Sequence, residues 1–211
     1  MKKIIIITLI SFLLSLVIFK MNYKPEFHLR TLGDSISLGT SFYNNHIYNY
    51  NDYLYDKLKI KKPNITYKTY YSKNNMTSLE LLLQLKQNYQ DYNESIIQYI
   101  SKANILTIAI GMDEIQDYNH ITYLNNIEEI FKIIRYYNHH DIYFISLFNT
   151  DNIKVNEINK ELKNKCSKYN INYVDIEDIA LNKKYIYKEI YLTTKGHKYI
   201  GETIINRINY K

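Results

Sequence analysis

The chain contains one cysteine, no tryptophan and only five glycines among 211 residues. A lone Cys166 excludes an intramolecular disulfide and cannot supply a thiolate metal cluster. Its position late in an expected helix makes it a plain structural residue. Low-complexity tracts and blocks of like charge are absent, which argues against a disordered chain. No nucleic-acid-binding motif accompanies the formal net charge of +6. Lys, Asn, Ile and Tyr (24 of the last) are enriched together, as AT-rich codon usage would produce. Composition drift therefore explains most of the basic excess. The remaining reading is attraction to an anionic surface such as a membrane or wall polymer. The length suits one α/β domain with a full core and an N-terminal appendage. There is no internal repeat and no sign of a second domain.

That appendage reads as a targeting segment. Met1-Lys2-Lys3 precedes Ile4 to Phe19, an uncharged run interrupted only by Thr8, Ser11 and Ser15. No small-x-small cleavage site follows, because the next residues are Lys20-Met21-Asn22-Tyr23-Lys24-Pro25, and no cysteine is present there for lipidation. The run is slightly short of the ~20 residues of a comfortable span, but Lys20 can snorkel. The expectation is an uncleaved signal-anchor over 1–20 with Lys2 and Lys3 inside, a linker over 21–26, and a domain from 27 to 211 held outside the membrane. A cleaved secretory peptide is the alternative.

Beyond the linker, apolar runs alternate with segments of helical period. Strands are expected at Phe27–Leu32, Asn64–Tyr70, Asn104–Ile110, Asp141–Leu147 and Ile171–Ile176. Helices are expected at Asn51–Leu58, Thr77–Asn88, Glu94–Lys102, Tyr123–Tyr137, Asn152–Tyr169 and Thr194–Asn209. In Tyr123–Tyr137, residues Leu124, Ile127, Ile130, Phe131 and Ile134 share one face. The runs 105–110 and 142–147 are nearly continuous apolar, as strands covered on both faces must be. Five strands alternating with helices imply a parallel sheet in a three-layer α/β sandwich.

The first strand runs into Gly33-Asp34-Ser35-Ile36-Ser37-Leu38-Gly39, which spends two of the five glycines around one serine. Open α/β sheets collect ligands at this carboxyl edge. Further on, Ile105 to Glu114 is an apolar strand ending in Gly-Met-Asp-Glu, and Tyr191 to Gly201 reads YLTTKGHKYIG. With these three blocks in order, residues 27 to 209 resemble the GDSL, or SGNH, hydrolase family. The resemblance implies a flavodoxin-like sheet and hydrolysis of acyl esters on lipids or carbohydrates, with no metal or organic cofactor. It puts Ser35 at the nucleophile position with its own N–H as an oxyanion donor. Asp34 then braces the turn.

The remaining family positions are altered. Asn75 stands where a glycine N–H normally serves the oxyanion hole; asparagine tolerates the left-handed backbone that position needs. After Gly111, Asp113 replaces the oxyanion-binding asparagine and Glu114 replaces the following aspartate. A carboxylate repels a developing negative charge, and loss of one donor alone costs about 3 kcal/mol of transition-state stabilisation. Counted back from Gly196, Lys188 and Tyr191 occupy the positions of the catalytic Asp and His. Removing the histidine of a serine triad costs on the order of a million-fold in turnover.

Three replacements for the base come into view. His197 falls inside the last helix, where a structural role is favoured. His139 and His140 precede the fourth strand at the edge opposite Ser35. Lys188 with Tyr191 could form a new base, since a desolvated lysine can activate a serine. Two functions follow. One is a non-catalytic, pseudoenzyme-like domain of the bacterial cell envelope whose cleft binds a glycan, lipid or protein. The other is an acyl-ester hydrolase (esterase, lipase or deacetylase) using Ser35 with an atypical base.

Overall fold

Every residue of Ile105–Ala109 is buried, and this strand lies at the centre of the structure. The computed structural model describes residues 11–12, 14–15, 20, 25–43, 45–91, 93–112, 114, 120–148, 153–188 and 191–208. Most of the N-terminal apolar segment, and with it the expected signal-anchor, lies outside those residues. Among the described residues, no helix is long and apolar enough to cross a membrane.

Five parallel strands form one sheet: β1 (Phe27–Gly33), β2 (Ile65–Ser72), β3 (Ile105–Ala109), β4 (Asp141–Ile145) and β5 (Asn172–Val174), in spatial order β2-β1-β3-β4-β5. The helices are α1 (Ser35–Leu38), α2 (Tyr50–Lys59), α3 (Ser78–Lys86), α4 (Ile96–Ser101), α5 (His120–Tyr137), α6 (Ile153–Lys168) and α7 (Thr194–Ile205). Helices α2 and α7 pack together on one face, and α3, α4, α5 and α6 form a contiguous layer on the other. This is the expected three-layer α/β sandwich. The strand order reverses between β1 and β3, and an open sheet places its crevice at that switch point.

Local sequence fixes the helix starts. Asn49 accepts hydrogen bonds from the Asn51 and Asp52 amides while Asp52 accepts from the Asn49 amide, a capping box that begins α2 one residue earlier than periodicity suggests. Thr77 caps α3 and Thr193 caps α7. Glu94 belongs to no helix. Glu94–Ser95 pairs antiparallel with Gln90–Asp91, and Ser95 then caps α4 with Gln98 closing the box. The last strand is shorter than its apolar run because Ile176 turns away; its amide is met by the Ser146 side chain at 2.9 Å.

The β1–β2 ladder shifts register between Arg30 and Leu32. The Tyr99 hydroxyl from α4 occupies this irregularity. It accepts from the Thr31 amide at 3.1 Å and lies 3.0 Å from the Thr31 carbonyl and 2.5 Å from that of Lys68. Tyr99 is fully buried, which pushes its phenol well above the ordinary range and keeps it a donor.

On the other face, Tyr50 of α2 reaches the buried Thr31, Ser37 and Thr107 hydroxyls at 3.4 Å each. His197 of α7 stacks on the Tyr50 ring, with centroids 6.2 Å apart. His197 is buried, and among the described residues its Nδ1 has no hydrogen-bond partner. Burial, with the nearby charge of His46 adding to it, pushes the imidazole down to about 3. It is a neutral packing residue. The unfolded chain takes up a proton on this histidine below its ordinary value of 6.5, whereas the folded chain does so only near 3. Falling pH therefore favours unfolding within that window, by about 1.4 kcal/mol per pH unit for one group. Urea unfolding at pH 7, 6 and 5 should show this slope, and His197→Gln should flatten it; an unchanged slope in the variant would contradict the assignment.

Candidate functional site

The end of β1 meets the end of β3 where a side chain has no room. Gly33 adopts φ 134°, and a Cβ there would lie 1.8 Å from the Ala109 carbonyl oxygen. The next residue, Asp34, is fully buried and caps α1. Its amide donates to the Ala109 carbonyl at 2.9 Å. One carboxylate oxygen accepts from the Ile36 amide at 3.0 Å; the other accepts from the Gly111 and Met112 amides at 3.0 and 3.3 Å. One side chain therefore fixes the end of β1, the start of α1 and the turn after β3. It braces the turn and is occupied in doing so.

Ser35 is the first residue of α1 and is half-buried at the carboxyl edge of the sheet. Ser37, one turn in, is structural: its hydroxyl bonds the Leu32 carbonyl at 2.9 Å and lies 3.3 Å from that of Ala109. Gly39 ends the helix in the left-handed region at φ 71°. The chain then folds back on itself, with Thr40 paired to His46 and the Thr40 hydroxyl donating to Asn74 at 2.6 Å. That bond ties the serine segment to the loop carrying Asn75. Asn75 is exposed and adopts φ 56°, the left-handed conformation the glycine-like position needs.

Gly111 follows β3 with φ 114° and its amide directed at Asp34, so that N–H braces the turn and does not face a ligand. A Cβ on Gly111 would lie 2.6 Å from the Tyr123 hydroxyl. Asp113 lies outside the described residues. Glu114 is buried, and its carboxylate accepts from both the Ser78 amide and, at 2.6 Å, the Ser78 hydroxyl. Asn126 of α5 donates to the same hydroxyl at 3.1 Å. Glu114 thus places negative charge at the first residue of α3, where the helix dipole favours it. The block around Ser35 already marks Asp34 as a brace, but its reach to Gly111 and the bond of Glu114 to Ser78 join residues far apart in the chain.

Lys188 and Tyr191 come together around Phe42, a residue not singled out by sequence. The Lys188 ammonium lies 3.8 Å from the Phe42 ring centroid and 5.8 Å from that of Tyr187. Tyr191 and Tyr187 meet the Phe42 ring edge-on, with centroids 5.3 and 5.6 Å away. Tyr43 extends the group through a 3.3 Å hydroxyl contact with Tyr187. Phe42, Tyr43 and Tyr187 are 38%, 70% and 42% exposed, so the cluster presents aromatic surface to solvent. His139 and His140 lie at the opposite edge of the sheet, beside Asp141. Among the described residues, no group of three His, Cys, Asp or Glu side chains could hold a metal ion.

Asp34→Asn removes an acceptor from a buried cluster of backbone amides. A loss of about 3 kcal/mol in urea-measured stability is expected, from one charge-assisted bond and one orphaned donor. A change below about 1 kcal/mol, the net worth of an ordinary hydrogen bond, would contradict the bracing role.

No protein-family profile and no curated protein matches the sequence. Solved structures do match the fold. A lipase from a goat rumen metagenome is 15% identical, with 85% of this chain and 96% of the lipase covered at a TM-score of 0.67. A member of the lipolytic G-D-S-L family from Veillonella parvula is 12% identical, with coverages of 88% and 100% and a TM-score of 0.63. A family 3 carbohydrate esterase from Clostridium thermocellum is 12% identical, with coverages of 86% and 94% and a TM-score of 0.61. With a five-stranded parallel sheet in the order β2-β1-β3-β4-β5 and Gly33-Asp34-Ser35 at its switch point, this chain has the fold of the GDSL, or SGNH, hydrolases.

Proposed function

We propose that the chain is a membrane-anchored, extracytoplasmic domain of SGNH fold that binds an envelope glycan at the cleft marked by Ser35 and turns over acyl esters slowly or not at all. One observation carries the reading. The side chains at the family's acid and base positions, Lys188 and Tyr191, are packed around Phe42 as an aromatic cluster. A serine hydroxyl needs an adjacent base to become a good nucleophile, and the side chains at the family's base and acid positions are of other types. The same substitution that removes the base supplies a ligand surface, since exposed Tyr and Phe offer flat apolar faces and Tyr adds a hydroxyl at the rim. Sugar rings stack their C–H faces on such surfaces while their hydroxyls remain hydrated. The occurrence of a carbohydrate esterase among proteins of this fold is consistent with a sugar in the cleft.

The membrane part of the reading rests on the sequence: two lysines, then an uncharged apolar run from Ile4 to Phe19. The competing reading, an esterase using Ser35 with Lys188 as base, needs an amine free to accept a proton. The cation–π contact with Phe42 weighs against it.

Two measurements on the full-length protein in detergent test the proposal. Hydrolysis of p-nitrophenyl acetate should not exceed that of Ser35→Ala; wild-type turnover clearly above the variant would establish an enzyme. Titration with N-acetylglucosamine oligomers, as mimics of an envelope glycan, should show binding that Phe42→Ala or Tyr43→Ala weakens about tenfold. Affinity unchanged in both variants would remove the aromatic cluster from the site.

A further inference from the structure

In a parallel sheet every strand begins at the same edge, and here that edge gathers a cluster of basic side chains. The segment entering β2 carries Lys59, Lys61 and Lys62, and the segment entering β4 carries His139 and His140. The carboxyl edge is mixed, with Asp175, Glu177 and Asp178 after β5 and Lys73 and Lys188 also on that side. Two acids, Glu26 and Asp141, lie at the basic edge. Lys61, Lys62, His139 and His140, with Asp141, Phe27 and Ile105, line a cavity of about 510 Å³. Around it, Ile60 is 78% exposed between lysines, and Tyr136 at the end of α5 is 73% exposed. Lysines flanking a protruding aliphatic residue, with tyrosine alongside, are the side chains that settle at a bilayer interface.

We infer that this strand-start edge seats on anionic lipid headgroups, so that the Ser35 edge faces away from the bilayer. The anchored reading enters only by bringing the edge to the membrane. Lys20 and Phe27 are seven residues apart, so the chain between them spans at most about 25 Å. A domain of this size is roughly 40 Å across, so the tether is shorter than the body it holds and attaches at the basic edge. Charge attraction acts over about 10 Å at 0.1 M salt, within the space such a tether leaves. Lys59 and Lys62 already lie against aromatic rings, 5.2 Å from Tyr55 and 5.5 Å from Phe27, which holds their stems at the surface.

The test uses full-length protein incorporated into phosphatidylcholine vesicles, with and without phosphatidylglycerol. A polarity-sensitive dye is placed on Ile60→Cys at the basic edge or on Leu181→Cys at the carboxyl edge. Leu181 is 77% exposed, and the native Cys166 is buried, its thiol pushed up by burial, so it escapes labelling. With anionic lipid, the dye at 60 should report a headgroup environment and the dye at 181 should report water. Replacing Lys59, Lys61 and Lys62 with Gln should lower the preference for the anionic surface on the order of a hundredfold and return the dye at 60 to water. Raised salt should do the same. A dye at 60 that stays in water on anionic vesicles, or a signal indifferent to the three substitutions, would overturn the inference. So would loss of the signal to free inorganic phosphate at unchanged ionic strength, which would make the cavity a soluble-anion site. Flotation with pure phosphatidylcholine vesicles reads the anchor alone. Failure there, with the dye at 60 still responding to anionic lipid, would sink the anchor and support this surface.

Discussion

The Asp34 carboxylate is the constraint on which the site depends. A buried carboxylate is costly unless its oxygens are met, and here three backbone amides from two segments meet them. The arrangement forces the ends of β1 and β3 together, and Gly33 permits the approach because a Cβ would collide with the Ala109 carbonyl. Glu114 repeats the device one layer out by holding the first residue of α3. Two acidic side chains thus fix three chain segments around the switch point, and Ser35 takes its position from them.

The contacts that place Ser35 are distinct from the residues that would activate it. What positions Ser35 is intact: the glycine, the capping aspartate, and the left-handed residues at 39, 75 and 111. Lys188 and Tyr191, which the family resemblance puts at the acid and base positions, instead pack against Phe42. Scaffold residues are retained by stability, because losing Asp34 would leave buried amides without an acceptor. The aromatic cluster presents the faces of Phe42, Tyr43 and Tyr187 to solvent.

All five strands and the six longer helices are legible in the sequence, because burial on both faces writes continuous apolar runs and one-sided helix burial writes the 3.6 period. Boundaries moved where a side chain intervened, as at the Asn49–Asp52 capping box and at Ser146 beneath Ile176. The two-residue hairpins at 90–95 and 186–192 are too short to carry any period. The Tyr99 hydroxyl in the β1 irregularity and the reach of Asp34 to Gly111 join residues 68 and 77 positions apart, which a linear pattern does not encode. Of the site, Ser35 and the bracing role of Asp34 could be read from one block. The contact of Lys188 with Phe42 could not, and Phe42 went unnoticed because its loop carries no motif.

The central claim is that Ser35 is held in place by Asp34 and is not a reactive nucleophile. The most direct measurement is intact-mass analysis after exposure to a fluorophosphonate, which reacts with a serine only when a base has raised its nucleophilicity. The account expects no adduct on the wild-type chain under conditions that fully label an active serine esterase. A stoichiometric adduct on Ser35, lost in Lys188→Ala, would contradict it and make this chain a hydrolase with a lysine base.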